Sequence, residues 1–234
     1  KNTITASISQ LNGNKIEKFT FRDKNSIEKA IKEIKEKKFQ ITDISSKVVK
    51  RNPSGPFTTS TLQQVASSRL GFGASRTMQI AQKLYQGVEI DGDTVGLITY
   101  MRTDGTNLSA DAVNDFRNFI KNEYGNEYLP ASANNYSGKK AKNAQEAHEA
   151  IRPTDINRVP NTLKKYLSSD QQKLYNLIWS RALSSQMEVA QFDRNTITIE
   201  SEDNQTICKA SGSVLKFDGF LKVYSNTSLS LIHI

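Results

Sequence analysis

Asn52-Pro53-Ser54-Gly55-Pro56 is where this chain changes period. Two prolines and a glycine within five residues break regular structure and mark a hinge or linker. Ahead of the hinge, apolar residues alternate. Ile4, Ala6 and Ile8 read as a strand, Asn12-Gly13 as a hairpin turn, and Phe19 and Phe21 resume the alternation. Ser26 then precedes Ile27, Ala30, Ile31 and Ile34, the stripe of an amphipathic helix whose lysines form the wet face, and a short strand follows over Phe39–Val49.

Behind the hinge the period becomes helical. Ser60 with Gln63 forms a capping box, Leu62, Val65, Ala66 and Leu70 share a face, and Gly71 ends the run. After Gly71-Phe72-Gly73-Ala74, Ser75 caps a second helix with Met78, Ala81 and Tyr85 on its apolar face and Gly87 at its end. Two short helices around a glycine turn have the form of a helix-turn-helix, although an αα-hairpin in a core is as common. A strand over Val95–Met101 follows Asp91-Gly92 and is broken by Asp104-Gly105. Ser109 caps a helix through Phe116 and Ile120 to Gly125, residues 131–145 are polar and loop-like, and Glu146–Ile151 makes one helical turn stopped by Pro153. Ser168 with Gln171 caps the strongest helix, which buries Leu174, Leu177, Ile178, Trp179 and Ala182. Beyond Gln191 strand patterning returns at Thr196–Ile199, Ile207 and Val214–Phe217.

The order β-rich, helical, β-rich gives an α+β chain with a helical domain inserted into a β-rich one. The expected boundaries are 1–56 and 187–215 for the β-rich domain and 57–186 for the helical domain. Residues 216–228 would begin a further, truncated domain, and residues 1–50 and 191–215 would share a sheet.

Among 234 residues, 24% are charged and 36% hydrophobic, the balance of a chain with a real core. No apolar run reaches the ~20 residues of a membrane-spanning helix. One cysteine, Cys208, excludes an internal disulfide framework and suits a reducing compartment; with two histidines it leaves no tetrahedral zinc site of the usual kind. The net charge of +8 is uneven: +6 over residues 1–50, +3 over 51–90, −4 over 91–130, +4 over 131–165 and −1 beyond. The lysines of the first helix explain much of the first excess. Arg69, Arg76 and Lys83, set against the single acid Glu89, are a better sign of a polyanionic partner.

Two stretches carry chemistry. In Thr99-Tyr100-Met101-Arg102-Thr103-Asp104, alternation puts Tyr100 and Arg102 on one side of an extended chain. A phenol of pKa ~10 is ionised in only about one molecule in a thousand at neutral pH. A neighbouring guanidinium favours the phenolate and neutralises phosphoryl oxygens, so the pair could attack phosphorus. On spacing alone an interface tyrosine beside a surface arginine is the commoner reading. In Gln145-Glu146-Ala147-His148-Glu149-Ala150-Ile151-Arg152-Pro153, no second histidine stands four places on, which excludes a zincin. Arg152, held extended by Pro153, could reach a phosphate.

Together these stretches resemble a known family. Gly96–Asp104 is similar to the active-site signature of type IA DNA topoisomerases, and Pro56–Gln64 and Gln145–Pro153 are similar to two further blocks in the same order and spacing. Met101, where the topoisomerase III branch usually has proline, points to the bacterial topoisomerase I branch. The resemblance runs over residues 1–224. It implies a winged-helix (CAP-like) cleavage domain inserted into an arch domain, parts of a larger toroid. Tyr100 would be the nucleophile that becomes joined to a 5′ DNA phosphate, Arg102 would hold the scissile phosphate, and His148 would lie beside it. Thr103 and Asp104 would shape the loop and, with Arg69, Arg76, Lys83, Arg102 and Arg152, meet DNA. Gly105 stands where many members have serine, and it is expected to loosen the turn.

The resemblance also implies Mg²⁺ in the full-length enzyme, with its ligands in a Toprim domain that is not in this chain, and no metal held by the chain itself. The partner would be single-stranded or underwound DNA, with no nucleotide and no membrane, and the protein a cytoplasmic, nucleoid-associated monomer. The parent would be an isomerase relaxing negative supercoils without ATP, and the chain alone inactive. Leu229–Ile234 reads as a non-native tail, since its codons can spell a transposon end used in library preparation. The rival reading is a non-catalytic helix-turn-helix DNA-binding module.

Overall fold

The computed structural model describes residues 3–136 and 148–225. Gln145, Glu146 and Ala147 of the third block, and the tail Leu229–Ile234, lie outside the described residues. The architecture is α+β and divides into two compact units. Of the described residues, one contains those up to 50 together with 191–217, and the other contains those of 51–190 and 218–225.

The first unit is a five-stranded sheet in the order β2-β1-β7-β6-β3 with one helix. Its strands are β1 (Ser7–Leu11), β2 (Asn14–Lys15), β3 (Phe39–Arg51), β6 (Ala190–Ser201) and β7 (Ile207–Phe217). Asn12 and Gly13, both at positive φ, make the tight turn from β1 to β2. β1 runs antiparallel to β7 with Ile8 opposite Cys208, and β6 is antiparallel to β7 with Thr198 opposite Lys209. The two ends of the sequence thus meet in one sheet, as the order of patterns implied. The alternation at Phe19 and Phe21 forms no strand: β2 is two residues long and Phe19 is 71% exposed. Helix α1 (Lys24–Glu36) starts three residues before Ile27, the first residue of the apolar stripe, because the Asp23 carboxylate accepts the Ser26 amide at 2.8 Å.

The second unit is helical around one small hairpin. Helix α2 (Thr59–Leu70) is capped by Thr58 rather than Ser60, with Thr61 answering in a reciprocal box. Gly71 at φ +68 closes it, and Gly73 opens α3 (Ala74–Gln86) with no side-chain cap. The hairpin β4 (Val88–Ile90) and β5 (Asp93–Val95) turns at Asp91-Gly92. Helix α4 (Ala110–Glu123) is capped by Ser109, and α5 (Ser169–Ser185) by Ser168 with Gln171, where the sequence placed them. Leu62, Ala66, Ile80, Leu84, Phe116, Ile120, Leu174 and Ile178 form the core. The indole of Trp179 donates to the Ile156 carbonyl at 2.9 Å, so this ring is buried without stranding its N–H. Among the described residues no helix is long and apolar enough to cross a membrane.

Two expected elements take a different form. Val95–Met101 is not a sheet strand, since β5 ends at Val95 and Ile98 makes only an isolated bridge to Pro153. Residues 148–151 are not helical: Ile151 is bridged to Phe57, and pairing with another segment outweighs a single helical turn that Pro153 would end anyway.

Residues 218–225, read from sequence as the start of another domain, lie in the helical unit. Phe220, Leu221 and Tyr224 are buried, and the Phe220 amide donates to the Glu188 carbonyl at 2.9 Å. Tyr128 donates its hydroxyl to Asp218 at 2.8 Å, and that bond, aided by burial, pushes the phenol up to about 12. Gly219 sits at φ +47, where a Cβ would lie 2.5 Å from the Val189 carbonyl oxygen. Gly219→Ala should therefore lower stability by about 1–3 kcal/mol, the cost of a forced left-handed conformation plus a backbone clash. A denaturant midpoint equal to wild type would show that these residues do not dock as described.

Candidate active site

Three segments distant in sequence are tied together here by their main chains. Thr59, the first residue of α2, donates its amide to the Thr103 carbonyl at 2.8 Å. Its hydroxyl lies 2.8 Å from the Met101 carbonyl and 3.0 Å from that of Thr103, and accepts the Thr103 amide at 2.8 Å. From the third segment, the Ile151 amide donates to the Phe57 carbonyl at 2.8 Å. The Thr99 amide donates to the Arg152 carbonyl at 2.9 Å, while the Thr99 hydroxyl donates to the Ala150 carbonyl at 2.7 Å and accepts the Arg152 amide at 3.0 Å. The blocks that carry the resemblance, 56–64, 96–104 and the described part of 145–153, thus share one knot.

Although residues 96–104 form no sheet strand, burial alternates from Tyr100 to Asp104. Met101 and Thr103 face inward, 1% and 7% exposed, while Tyr100, Arg102 and Asp104 face outward. Tyr100 is 38% exposed. Its ring meets Tyr85 edge-on at 5.4 Å between centroids and His148 at 5.7 Å.

Tyr85 was expected in the core. Instead Thr77, Ile80, Ala81 and Leu84 are the buried residues of α3, a face turned one position back from the expected Met78, Ala81 and Tyr85. The signal was present in the spacing of Thr77, Ile80, Ala81 and Leu84, but counting Thr77 as polar hid it.

Arg102 opens onto a groove of about 950 Å³ whose lining includes Gln63, Arg76, Gln79, Gln82, Lys83 and Gln86. Asp170 also lines it, and Arg76 binds this carboxylate with Nη2 at 2.6 Å and Nε at 3.1 Å while lying 4.6 Å from the Phe72 ring. Lys83 and Arg102 complete a positive lining dotted with amides, which suits a polar, anionic ligand.

The other basic residues lie elsewhere. Arg152 is turned inward: its guanidinium binds Glu149 at 2.7 and 2.8 Å and donates to the Pro153 carbonyl at 3.0 Å. Arg69 stacks on the Tyr224 ring at 4.2 Å. Among the described residues no three His, Cys, Asp or Glu side chains gather as a group that could hold a metal ion.

Gly105 does not loosen the turn. A Cβ there would lie 2.0 Å from the His148 carbonyl oxygen, and the Thr103 hydroxyl stands between the two backbones, 3.3 Å from that oxygen and 3.0 Å from the Gly105 amide. Glycine lets the His148 backbone approach, and that approach carries the imidazole to Tyr100.

A family model described as DNA topoisomerase matches residues 2–231. DNA topoisomerase 1 of Rickettsia bellii (strain RML369-C) is 50% identical over 221 residues, covering 94% of this chain and 28% of the relative. That of Xylella fastidiosa (strain 9a5c) is 44% identical over 225 residues, covering 94% of this chain and 27% of the relative. The crystal structure of full-length topoisomerase I from Thermotoga maritima superposes with a TM-score of 0.76 at 38% identity, covering 95% of this chain and 34% of that one. The chain belongs to the DNA topoisomerase family. It is similar to the bacterial topoisomerase I branch, and spans about a third or less of the length of the relatives named here.

Gly105→Ser should push the His148 segment away and break the ring contact with Tyr100, at a cost of about 1–3 kcal/mol for overpacking. The His148 ring resonances should move as the tyrosine ring current is lost, and the unfolding midpoint should fall. Unchanged resonances and an unchanged midpoint would refute the close approach.

Proposed function

We propose that this chain is the tyrosine-bearing part of a type IA topoisomerase, which cuts one DNA strand, lets the other pass and reseals the cut. The observation that carries this reading is Tyr100, turned outward from the three-segment knot with His148 beside it and Arg102 one outward position on. The Tyr100 phenolate oxygen attacks the phosphorus of a phosphodiester. The Tyr–O–P bond forms, the P–O3′ bond breaks, and the leaving O3′ takes a proton, leaving a 5′-phosphotyrosine. Attack by the same O3′ reverses the step. The bond energy is conserved in the phosphotyrosine, so no ATP is needed and negative supercoils relax downhill.

The roles of the side chains follow from their positions. Arg102 neutralises phosphoryl oxygens as charge builds on them. His148 flanks the same phosphate, and buried Thr103 holds the loop through its bonds to Thr59, with Asp104 outward beside it. The strand approaches as single-stranded or underwound DNA along the groove lined by Arg76, Lys83 and Arg102. Magnesium and the acid that protonates O3′ would come from the Toprim part of the longer enzyme.

The α2–turn–α3 pair favours a second reading, a DNA-binding module without catalysis. Tyr100→Phe separates the two. In the full-length protein it should abolish the covalent protein–DNA complex while binding persists; continued cleavage would overturn the nucleophile. Arg102→Ala there should cost roughly 2–4 kcal/mol of transition-state stabilisation, and Arg102→Lys should recover only part because an ammonium lacks the planar fork. Cleavage at the wild-type rate by the alanine variant would refute this role. The 234-residue chain alone should not relax supercoiled plasmid, and gel-resolved relaxation by the purified chain would overturn the division of the site.

A further inference from the structure

A second basic surface lies apart from the Tyr100 groove, with no lining residue in common. Arg51 and Asn52 at the end of β3, Ser54 in the hinge, Arg69 on α2 and Arg181 on α5 line a pocket of about 150 Å³, the volume of roughly five waters. Among the described residues that line it there is no carboxylate. Arg69 and Arg181 both lie over the Tyr224 ring, within 5.2 Å of its centre. Arg181 is held in place besides, because its Nε donates to the Gly55 carbonyl at 2.6 Å, Nη1 lies 3.3 Å from the Tyr224 hydroxyl, and the group sits 4.9 Å from the Phe57 ring.

The ring and the carbonyl hold these forks before any ligand arrives, and a pre-ordered fork binds phosphate oxygens without first losing its own freedom. A neighbouring depression of about 280 Å³ shares Arg69 and Tyr224 and adds Lys173, Asn176 and Ser180, again with no carboxylate among its described lining residues. Cations that run from one depression into the next match successive phosphates of a strand better than one small ion.

We propose that this surface is a second phosphate-contact site, which holds the backbone of a nucleic-acid strand away from the groove where Tyr100 acts. It rests on the reading of the protein as one that handles DNA. A contact at the hinge, independent of the cleavage groove, would let the enzyme keep hold of a strand or strand segment other than the one being cut.

The test uses the 234-residue chain. Oligo(dT) binding is measured at several salt concentrations for wild type, for Arg51→Gln, whose guanidinium is outside the stacked cluster, and for Lys83→Gln in the groove. An oligomer with an uncharged methylphosphonate backbone and inorganic phosphate at constant ionic strength are run alongside, with the Nε–H resonances of Arg51 and Arg181 as the local readout. Arg51→Gln should make the salt slope shallower by about 0.7, one phosphate contact, with no change in unfolding midpoint, and a variant combining Arg51→Gln with Lys83→Gln should lose both contacts. Oligo(dT), but not the methylphosphonate oligomer, should move the arginine resonances. If Lys83→Gln weakens binding and Arg51→Gln does not, this proposal falls and the groove reading stands. If the wild-type chain does not bind oligo(dT), both fall. If inorganic phosphate moves the resonances and oligo(dT) does not, the pocket serves a small free anion and the strand assignment is overturned.

Discussion

A single threonine hydroxyl ties the candidate site to the rest of the helical unit. Thr59 Oγ1 reaches the carbonyls of Met101 and Thr103 and accepts the Thr103 amide, so α2 cannot move without moving the loop that carries Tyr100. On the other side, Thr99 is laced to residues 150–152, and Phe57 to Ile151. These bonds satisfy backbone groups that no regular element would pair, which is why irregular chain can sit this close to a core. Removing one partner would strand several polar groups at once, a larger penalty than the loss of one net hydrogen bond.

That knot leaves the outward residues exposed without leaving them loose. Buried Met101 and Thr103 pin the chain on either side of Arg102, and Tyr100 is flanked by two rings, from α3 and from the third segment. A side chain positioned in this way needs little reorganisation before it meets a ligand. The groove beside it is a different kind of surface. Its amides and cations supply attraction and adjustable hydrogen bonds, not fixed geometry.

The charge excess of the chain therefore has several causes. The lysines of α1 belong to the solvent face of the sheet unit; Lys24, for example, pairs with Glu28 one turn on and is almost fully exposed. Arg152 is consumed by Glu149, and Arg76 is shared with Asp170. Two further groups of cations are set by position within the fold: Lys83 with Arg102 in the groove, and Arg51 with Arg181 in the pocket.

Local rules were enough for much of this protein. The hinge at residues 52–56, the glycine that ends α2, the caps at Ser109 and Ser168 and the pairing of the two β-rich ends follow from residue chemistry and period alone, because each depends on neighbours a few places away or on gross alternation. The Tyr100–Asp104 stretch stood out through its resemblance to a family signature, since on spacing alone an interface tyrosine beside a surface arginine is the commoner reading. Other features needed the fold. The buried face of α3 is set by where α2 and α5 pack, which turned Tyr85 out of the core and onto Tyr100. Residues 148–152 gave up a helical turn for backbone partners about fifty and ninety positions away, at Thr99 and Phe57. Gly105 changed meaning altogether, from a loose turn to a close approach, because the carbonyl it admits belongs to His148. In each case the deciding contact joins residues far apart in sequence, and only the folded chain brings them within reach.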